Sequence, residues 1–306
     1  MNNETTPSQA DTACGLVAVI GAPNAGKSTL VNQLVGQKVA ITSAKAQTTR
    51  ARLLGIALEG STQIILVDTP GIFAPKRRLD RAMVSAAWEG TVAADAVLLV
   101  VDPVKQRRHE LEPLLAQLKD RKERKLLALN KVDISKKEPL LELAQDLVGR
   151  IGFEEVCFIS ALTGDGVPQL KAHLAKAMPP SPWHYPEDQV SDASERLLAT
   201  EVTREQLYRQ LHEELPYDCA VRPEQYLQRP DGSVEIHQQI VIARDSQKPI
   251  VLGKHGTRIK AIGEAARMEL AEILGAPVHL YLHVKVDERW QESREIYEEI
   301  GLDWVR

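Results

Sequence analysis

The chain has 306 residues, 38 Lys and Arg against 42 Asp and Glu, and 43% hydrophobic residues. At about 150 residues per domain, this length predicts two domains, each large enough for a core of its own. The formal net charge of -4 excludes a histone-like protein that binds nucleic acid through a global excess of positive charge. The net charge does not exclude a local basic patch.

Cysteine usage and apolar runs indicate the compartment. Cys14, Cys157 and Cys219 are odd in number and too far apart for a C-x-x-C metal or redox motif. The polar N-terminus lacks the regions of a signal peptide, and the longest apolar runs are too short to span a bilayer. The sequence therefore predicts a cytoplasmic protein and leaves peripheral membrane contact open.

Short apolar runs alternate with amphipathic stretches between Leu16 and Met178. Runs without period-two alternation suit strands that are buried on both faces, and the stretches between them have helical spacing. This pattern predicts a doubly wound α/β domain over residues 14–178, after a disordered tail over residues 1–13. Arg52–Leu58 and Thr62–Val67, joined by a tight turn, predict one antiparallel pair at the sheet edge.

Four prolines between positions 179 and 186 predict a stiff linker over residues 179–190. Residues 191–306 predict a smaller α+β domain with the order α-β-β-α-α-β, followed by a C-terminal helix. The predicted elements are a helix over Ser191–Leu215, strands over Ala220–Gln228 and Ser233–Ala243, a helix from Gly256 to Leu274, a strand over Val278–Val286 and a helix over Glu288–Ile300.

A glycine-rich run, G-A-P-N-A-G-K-S, extends from Gly21 to Ser28 and fits G-x-x-x-x-G-K-[ST] between a predicted strand and a predicted helix. Phosphate oxygens need several close donors, which the loop's backbone N–H groups and the helix N-terminus supply. Lys27 adds a charge for the β- and γ-phosphates, and Ser28 is a predicted Mg2+ ligand. The predicted phosphate-binding residues are Gly21, Asn24, Ala25, Gly26, Lys27, Ser28, Thr29, Asp68 and Gly71.

The run D-T-P-G from Asp68 to Gly71 follows the next buried strand. There the Asp68 carboxylate can reach Mg2+ through water, and the Gly71 N–H can meet a γ-phosphate. Ile72 directly follows this run, and an aliphatic side chain cannot hold an attacking water. Intrinsic hydrolysis of a phosphate bound here is therefore predicted to be slow.

Two further strand ends predict a guanine site. In the run N-K-V-D, the Asp133 carboxylate can accept from the N1–H and the exocyclic amine of guanine, while Lys131 covers the base with its aliphatic stem. Adenine lacks this pair of donors, so the run predicts GTP over ATP. In the run S-A-L, the Ala161 N–H would reach guanine O6. The predicted guanine-binding residues are Asn130, Lys131, Asp133, Ser160, Ala161 and Leu162.

A G-x-x-G run lies between a strand and an amphipathic helix of the second predicted domain. Its glycines let an RNA backbone approach closely, and Lys254 and His255 offer donors to phosphates. Arg244–Arg267 contains six Lys or Arg against two acids, so positive charge is concentrated there. The predicted RNA-binding residues are Gly253, Lys254, His255, Gly256, Arg258 and Lys260.

Three ring side chains, His279, Tyr281 and His283, alternate along the last predicted strand. Alternation places them on one face, where they either stack bases or pack on a helix. For Tyr281 the pattern favours packing on a helix.

The runs G-A-P-N-A-G-K-S, D-T-P-G, N-K-V-D and S-A-L occur in this order in the translation-factor-like class of small GTPases, which the chain resembles. The second domain resembles a type II KH domain, and the whole is similar to the Era family of bacterial GTPases. The resemblance implies a monomer that converts GTP to GDP with Mg2+ and binds small-subunit ribosomal RNA near its 3′ end. It further implies a role in 30S subunit assembly, with peripheral contact to the inner membrane left open.

The resemblance also covers Ile41–Arg50, which is similar to the family's switch I. One of Thr48 and Thr49 is then expected to close on Mg2+ in the GTP state, with Thr49 favoured, although a threonine-rich loop that caps a strand is the alternative. The implied Mg2+ ligands are Ser28, Thr49 and Asp68. Asn24 matches an asparagine that ligates K+ in related GTPases, which implies K+-stimulated hydrolysis; otherwise Asn24 only shapes the loop.

Two other functions are alternatives to this interpretation. In the first, GTP hydrolysis would power RNA modification, but residues 192–306 offer no second catalytic constellation. In the second, the protein would be an RNA scaffold with a degenerate nucleotide site. The intact Lys27, Ser28, Asp68, Asn130 and Asp133 disfavour that scaffold.

Overall fold

The computed structural model describes residues 12–43, 45, 48–50, 53–72, 75, 77–104, 108–211, 215–299 and 302–305. The chain divides into two compact units. The first unit comprises Met1–Ala40, Arg52–Pro75 and Met83–Asp192, and the second comprises Ile41–Ala51, Lys76–Ala82 and Ala193–Arg306. The sequence analysis expected two uninterrupted domains, so the membership of Ile41–Ala51 and Lys76–Ala82 in the second unit is a difference. Side chains of both segments bind inside the second unit: Arg50 Nη1 donates to the Cys219 carbonyl at 2.7 Å, and Arg77 Nη1 pairs with Asp218 Oδ1 at 2.7 Å.

Six strands make up the sheet within the described residues of the first unit. They are β1 (Ala13–Ile20), β2 (Leu53–Glu59), β3 (Thr62–Asp68), β4 (Ala96–Val101), β5 (Arg124–Leu129) and β6 (Glu155–Phe158). Their order is β2-β3-β1-β4-β5-β6, and only the β2–β3 pairing in this sheet is antiparallel. The predicted doubly wound sheet with one antiparallel edge pair is therefore confirmed. β1 begins at Ala13, inside the tail predicted for residues 1–13, of which residues 1–11 lie outside the described part of the chain.

Both faces of this sheet are buried. Val17 and Val19 of β1 belong to one apolar cluster, whereas Ala18 and Ile20 belong to the cluster on the opposite face. Side chains that alternate between two apolar layers explain why the strands are continuous apolar runs. The helices are α1 (Lys27–Val35), α2 (Arg78–Val92), α3 (Arg108–Lys119), α4 (Lys137–Ile151) and α5 (Val167–Ala177).

The helix α2 was not predicted from the sequence. Several of its buried side chains are small, such as Ala82 and Ala87, so its apolar face is weakly marked.

The proline-rich linker lies along the first unit. The Cys14 N–H donates to the Pro179 carbonyl at 3.2 Å, and the Ile56 N–H donates to the Val190 carbonyl at 2.8 Å. The linker therefore pairs with a backbone group of β1 and with one of the edge strand β2.

The sheet of the second unit has the order β7-β8-β9, where β7 is Cys219–Gln228, β8 is Val234–Ile242 and β9 is Val278–Val286. β7 pairs antiparallel with β8, and β9 pairs parallel with β8. The helices are α6 (Glu195–Gln210), α7 (Lys248–Leu252), α8 (Thr257–Leu274) and α9 (Arg294–Glu299). The predicted order α-β-β-α-α-β is confirmed, although α7 was not among the helices to which the sequence analysis gave bounds. Apolar residues of α6 and α8 share two clusters with one face of the sheet.

Two predicted helices are shorter in the structure. α6 begins at Glu195 because the Ser194 hydroxyl accepts from the Leu197 N–H at 3.2 Å and caps the helix. The C-terminal helix predicted over Glu288–Ile300 is wrong in extent. Ser293 has an extended backbone (φ −88, ψ 113), which separates a 3-10 turn at Trp290–Glu292 from α9. Of the helices described, none combines the length and apolar character that crossing a bilayer requires.

Candidate functional site

The loop between β1 and α1 contains glycines that no other residue could replace without a clash. A Cβ on Gly26, which has φ +98, would lie 2.2 Å from Asn130 Nδ2, and one on Gly21 would lie 2.4 Å from the Val100 carbonyl. α1 begins at Lys27, so the N–H groups of its first turn lack partners inside the helix. The loop and the helix terminus therefore form an anion-binding site of the kind that the sequence predicts.

The Lys27 side chain extends from the start of α1 into this loop, and Lys27 is only 6% exposed. Its ammonium donates to the Gly21 carbonyl at 3.1 Å and to the Ala22 carbonyl at 3.0 Å. Burial lowers the pKa of Lys27 to about 8, although the nearby Asp68 acts in the opposite direction. A buried cation held by neutral carbonyls gains strongly from a phosphate, because the anion restores the electrostatic stabilisation that burial removes.

Two of the predicted Mg2+ ligands are in contact. The Ser28 hydroxyl donates to Asp68 Oδ2 at 2.7 Å, and Asp68 is fully buried at the end of β3. A hydroxyl and a carboxylate beside a phosphate-binding loop are the hard oxygen ligands that Mg2+ prefers. The residues present therefore fit Mg2+, which would offset the negative charge of the phosphates when bound.

The loop after β3 lies against the phosphate-binding loop. A Cβ on Gly71 would lie 2.7 Å from the Pro23 nitrogen, and the Ile72 N–H donates to the Gly21 carbonyl at 3.1 Å. Ile72 is 7% exposed and belongs to an apolar core cluster. Its side chain is therefore part of the core and carries no group that could orient water.

Asn130 connects three loops at the strand ends. Its Nδ2 donates to the Ala25 carbonyl at 2.8 Å, and its Oδ1 accepts from the Lys131 N–H at 2.8 Å and the Ala161 N–H at 2.9 Å. The phosphate loop and both predicted guanine loops are thus held together by one side chain. Since the Ala161 N–H bonds to Asn130 here, its contact with guanine O6 stays a prediction.

The remaining predicted guanine residues divide into a buried and an exposed set. Ser160 is fully buried, and its hydroxyl accepts from the Thr163 N–H at 3.2 Å, so it shapes the loop. Asp133 is exposed in a 3-10 turn, and Leu162 is 76% exposed. Both side chains are therefore accessible to a bound base, and the guanine contacts of Asp133 and Leu162 stay predictions.

Asp102 is a site residue that the sequence analysis missed. Its Oδ2 accepts from Lys131 Nζ at 2.5 Å, and the same ammonium donates to the Asn24 carbonyl at 2.9 Å. Asp102 directly follows β4, the strand between β1 and β5, which was the available signal. The Lys131 side chain is therefore held over the phosphate loop by a buried carboxylate.

The described residues of the predicted switch I lie in the second unit. Thr48 and Thr49 are 9% and 7% exposed, and Arg50 is 3% exposed. Ala44, Ala46 and Gln47 lie outside the described residues. The expected Mg2+ contact of Thr49 stays a prediction.

The G-x-x-G loop of the second unit joins α7 to α8. Gly253 has φ 72 and ψ 173, a conformation that essentially only glycine adopts, and a Cβ there would lie 2.8 Å from the Arg258 nitrogen. Lys254 and His255 are exposed at the turn, and Gly256 is the left-handed residue before α8. The loop therefore presents cationic and polar side chains where a phosphate backbone can approach.

A groove with a volume of about 540 Å³ lies between α8 and β9. Its charged walls are Lys260, Glu264 and Arg267, and Gly263 leaves room beside Leu282. Of these residues only Lys260 was predicted as a site residue. The others could have been found from helical spacing, because positions 260, 263, 264 and 267 share one face of α8.

Comparisons with known proteins match each of the two predicted domains to a family. Residues 16–131 match the family of 50S ribosome-binding GTPases, and residues 214–291 match the KH domain family. GTPase Era of Erythrobacter litoralis is 79% identical over 297 residues, which cover 96% of this chain and 98% of that protein. GTPase Era of Afipia carboxidovorans is 55% identical and covers 96% of each chain.

Two solved structures resemble the whole chain. A crystal structure of Era in complex with MgGDPNP and nucleotides 1506–1542 of 16S ribosomal RNA has a TM-score of 0.90 at 36% identity, covering 95% of this chain and 99% of that chain. A variant of Aquifex aeolicus Era bound to GDP·AlF4− has a TM-score of 0.89 at 36% identity, with the same coverage. The first of these proteins is bound to a nucleotide and to RNA, and the second is bound to GDP·AlF4−.

Proposed function

The chain belongs to the Era family of GTPases, and we propose that its nucleotide state controls how tightly its KH domain binds the 3′ region of 16S ribosomal RNA during 30S assembly. Support for the RNA comes from the Era complex with nucleotides 1506–1542, a chain 36% identical to this one. The observation that carries the proposal is the set of contacts that switch I, which is part of the second unit, makes with the KH domain.

Arg50 of switch I is the centre of these contacts. Its Nη1 donates to the Cys219 carbonyl at 2.7 Å, and its Nη2 donates to the Tyr217 carbonyl at 3.1 Å and the Tyr208 hydroxyl at 3.3 Å. Burying a guanidinium costs free energy unless its donors are satisfied, and here carbonyls at the start of β7 satisfy them. Arg50 therefore attaches the end of switch I to the KH domain.

Two other switch I residues bind helix α6. The Thr42 N–H donates to Glu205 Oε1 at 3.0 Å, and Lys45 Nζ donates to the Tyr208 carbonyl at 2.5 Å. Positions 203 to 206 of α6 are polar in sequence and at most 5% exposed. A polar helix that is buried on this scale suits an element whose contacts are exchanged during a conformational change.

The proposed coupling follows from the position of Thr49. In the proposal Thr49 closes on Mg2+ with GTP, and Arg50 is the next residue, so a movement of Thr49 changes the contacts of Arg50. α6 and the start of β7, which Arg50 and Lys45 contact, pack in the same core as α7, the helix before the G-x-x-G loop. A rearrangement of switch I would thereby reach the RNA-binding loop.

The test compares RNA affinity with a non-hydrolysable GTP analogue and with GDP, in the wild type and in Arg50→Met. We expect wild-type affinity to depend on the nucleotide and the Arg50→Met variant to lose most of that dependence. Arg222→Met is the matched control, because Arg222 pairs with Glu299 in the same unit at 2.5 Å. Nucleotide-independent binding by the wild type would rule out the switch.

The chemical step is proposed to be slow hydrolysis that depends on Mg2+ and is stimulated by K+. Ser28 and Asp68 would hold Mg2+, and Lys27 would hold the phosphates. Because Ile72 cannot orient water, the role of a catalytic glutamine would fall to a backbone group, a partner or a K+ ion near Asn24. Equal hydrolysis rates in K+ and Na+ buffers would rule out K+ stimulation.

The proposal places the protein in the cytoplasm as a monomer. Whether the protein also contacts the inner membrane is a separate question for experiment. Cys14, Cys157 and Cys219 are free and buried thiols, which suits a reducing compartment. Light scattering of the purified protein tests the monomer. Fractionation of cells that express a tagged chain tests the location and the membrane contact.

A further inference from the structure

The sheet of the KH domain has an open face whose side chains are unusual for a solvated surface. β8 and β9 pair in register, with Glu235 beside His279, His237 beside Tyr281 and Gln239 beside His283. The residues between them, such as Ile236, Leu280 and Leu282, belong to the clusters under the helices. Because strand side chains alternate, the three histidines and the tyrosine all lie on the face opposite the helices.

Tyr281 does not pack on a helix, so that part of the sequence analysis is wrong. Its side chain is 48% exposed, and its ring stacks on His237 with centroids 4.6 Å apart and an interplanar angle of 23°. The sequence places Tyr281 on the same face as His279 and His283, and the apolar residues that alternate with them mark the other face as the one that the helices cover, a signal that the expectation for Tyr281 did not use. One ring face of Tyr281 contacts His237, and the other points away from β8.

The groove and the open face meet at Tyr281. β9 is an edge strand, since the order of the sheet is β7-β8-β9. Tyr281 also lines the groove between β9 and α8, together with Lys260 and Arg267. A nucleotide chain that runs along the groove therefore lies next to Tyr281 at the edge of the sheet.

We propose that the RNA continues from the groove over the edge of β9 onto the open sheet face, where a base stacks on Tyr281 and extends its stack with His237. This inference rests on the proposed RNA-binding function and adds a second contact surface to it. Aromatic side chains on an exposed sheet are a common platform for single-stranded bases, because every base has a π face.

The charges on the open face do not oppose an RNA backbone strongly. Glu235 pairs with Arg229 and, at 2.7 Å, with His237, while Glu224 lies 3.3 Å from His283. Each carboxylate is therefore offset by a neighbouring cation or hydrogen-bond donor. Stacking, rather than attraction between charges, provides the main contact, so this part of the binding should depend little on salt.

The test uses two synthetic RNAs from the 16S 3′ region: a short one of about four nucleotides, the length that a KH groove clamps, and one extended by several nucleotides at both ends. In the wild type we expect the extension to increase affinity. In Tyr281→Ala we expect this gain to be lost, with the affinity for the long RNA about five- to 100-fold lower and that for the short RNA nearly unchanged. Tyr281→Phe keeps the ring and should bind the long RNA like the wild type.

Leu227→Ala is the matched control, because Leu227 is 45% exposed on the same face but on β7, at the far edge of the sheet. It should leave both affinities unchanged. A 5-iodouridine in the extension of the long RNA should form a photo-crosslink to the β9 peptide. Unchanged binding of the long RNA by Tyr281→Ala, equal losses for both RNAs, or a crosslink elsewhere would overturn the inference. Failure of the wild type to bind the short RNA would instead contradict the proposed function itself.

Discussion

The two sheets of the protein present their functional residues in different ways. The six-stranded sheet is buried on both faces, so its predicted site residues occur where strands end, after β1, β3, β5 and β6. The three-stranded KH sheet is covered on one face, and its predicted site lies along a helix entry and a strand edge. A sheet enclosed by helices can offer chemistry only at its ends, whereas a half-covered sheet can offer it along its length.

This difference has a consequence for how each site is held together. The nucleotide site joins residues far apart in the chain, and hydrogen bonds such as that from Asn130 to the Ala25 carbonyl connect its loops. The predicted RNA loop is local in sequence, from Gly253 to Lys260, and depends on its own backbone conformation. A single substitution should therefore disturb the structure of one site and leave the structure of the other intact.

The largest expected effect is a change of base preference. Asp133→Asn replaces the carboxylate that is predicted to accept from two guanine donors, while xanthine offers the complementary pattern to an amide. Sites built around such hydrogen bonds discriminate strongly, so the ratio of GTP to XTP affinity should fall by about 10⁴-fold. Competition between the two nucleotides measures this ratio. A variant that still prefers GTP would show that the base lies elsewhere, and short-RNA affinity measured without nucleotide should be unchanged.

The second prediction tests the local character of the RNA loop. In Gly253→Ala the new Cβ meets the Arg258 nitrogen at 2.8 Å, whereas a Cβ on Gly256 meets nothing within 4 Å. Gly253→Ala should lower RNA affinity about tenfold or more, and Gly256→Ala, which has only a left-handed φ to accommodate, should lower it about threefold. Fluorescence anisotropy with the short RNA gives both values. Equal losses in the two variants would show that the loop conformation does not set affinity.

The same comparison shows what sequence reasoning could reach. The Gly21–Ser28, Asp68–Gly71 and Asn130–Asp133 runs were found because each combines a spacing pattern with a preceding buried strand. Asp102 was missed because a single aspartate at a strand end has no pattern of its own. The contacts of Arg50 with the KH domain depend on hydrogen bonds across more than a hundred positions, which no local pattern encodes.

In the KH domain, too, some features could be predicted from the sequence and others could not. The bounds of β9, predicted as Val278–Val286, are confirmed because alternation marks the whole strand. Its apolar positions, such as Val278 and Leu280, also mark the face that the helices cover, so the exposed position of Tyr281 could have been derived from the same alternation. By contrast, the break of the C-terminal helix at Ser293 is a local backbone choice that the helical spacing of Ile296 and Ile300 did not reveal.

The third prediction tests whether Asp102 is part of the nucleotide site. Asp102→Asn removes the charge that holds Lys131, while the amide oxygen can still accept from the Val104 N–H, as Oδ1 does at 2.9 Å. Because Lys131 is partly exposed to solvent, the loss should be moderate, about fivefold in both GTP and GDP affinity. Isothermal titration measures it. Arg150→Met, which breaks an exposed pair with Glu112 in the same unit, serves as the control and should change nothing.

The smallest expected effect concerns the proton on Lys27 and separates a buried phosphate contact from an exposed one. Burial lowers the pKa of Lys27 to about 8 in the nucleotide-free protein. Below that pH the amine is already charged, but above it a bound phosphate, which raises the pKa, must recruit a proton. GTP affinity should therefore fall about fourfold between pH 7 and pH 8.5, with proton uptake that titrations in buffers of different ionisation enthalpy detect. Lys27→Arg keeps its charge throughout this range, so its affinity should lack this slope; an equal slope in that variant would assign the proton to another group.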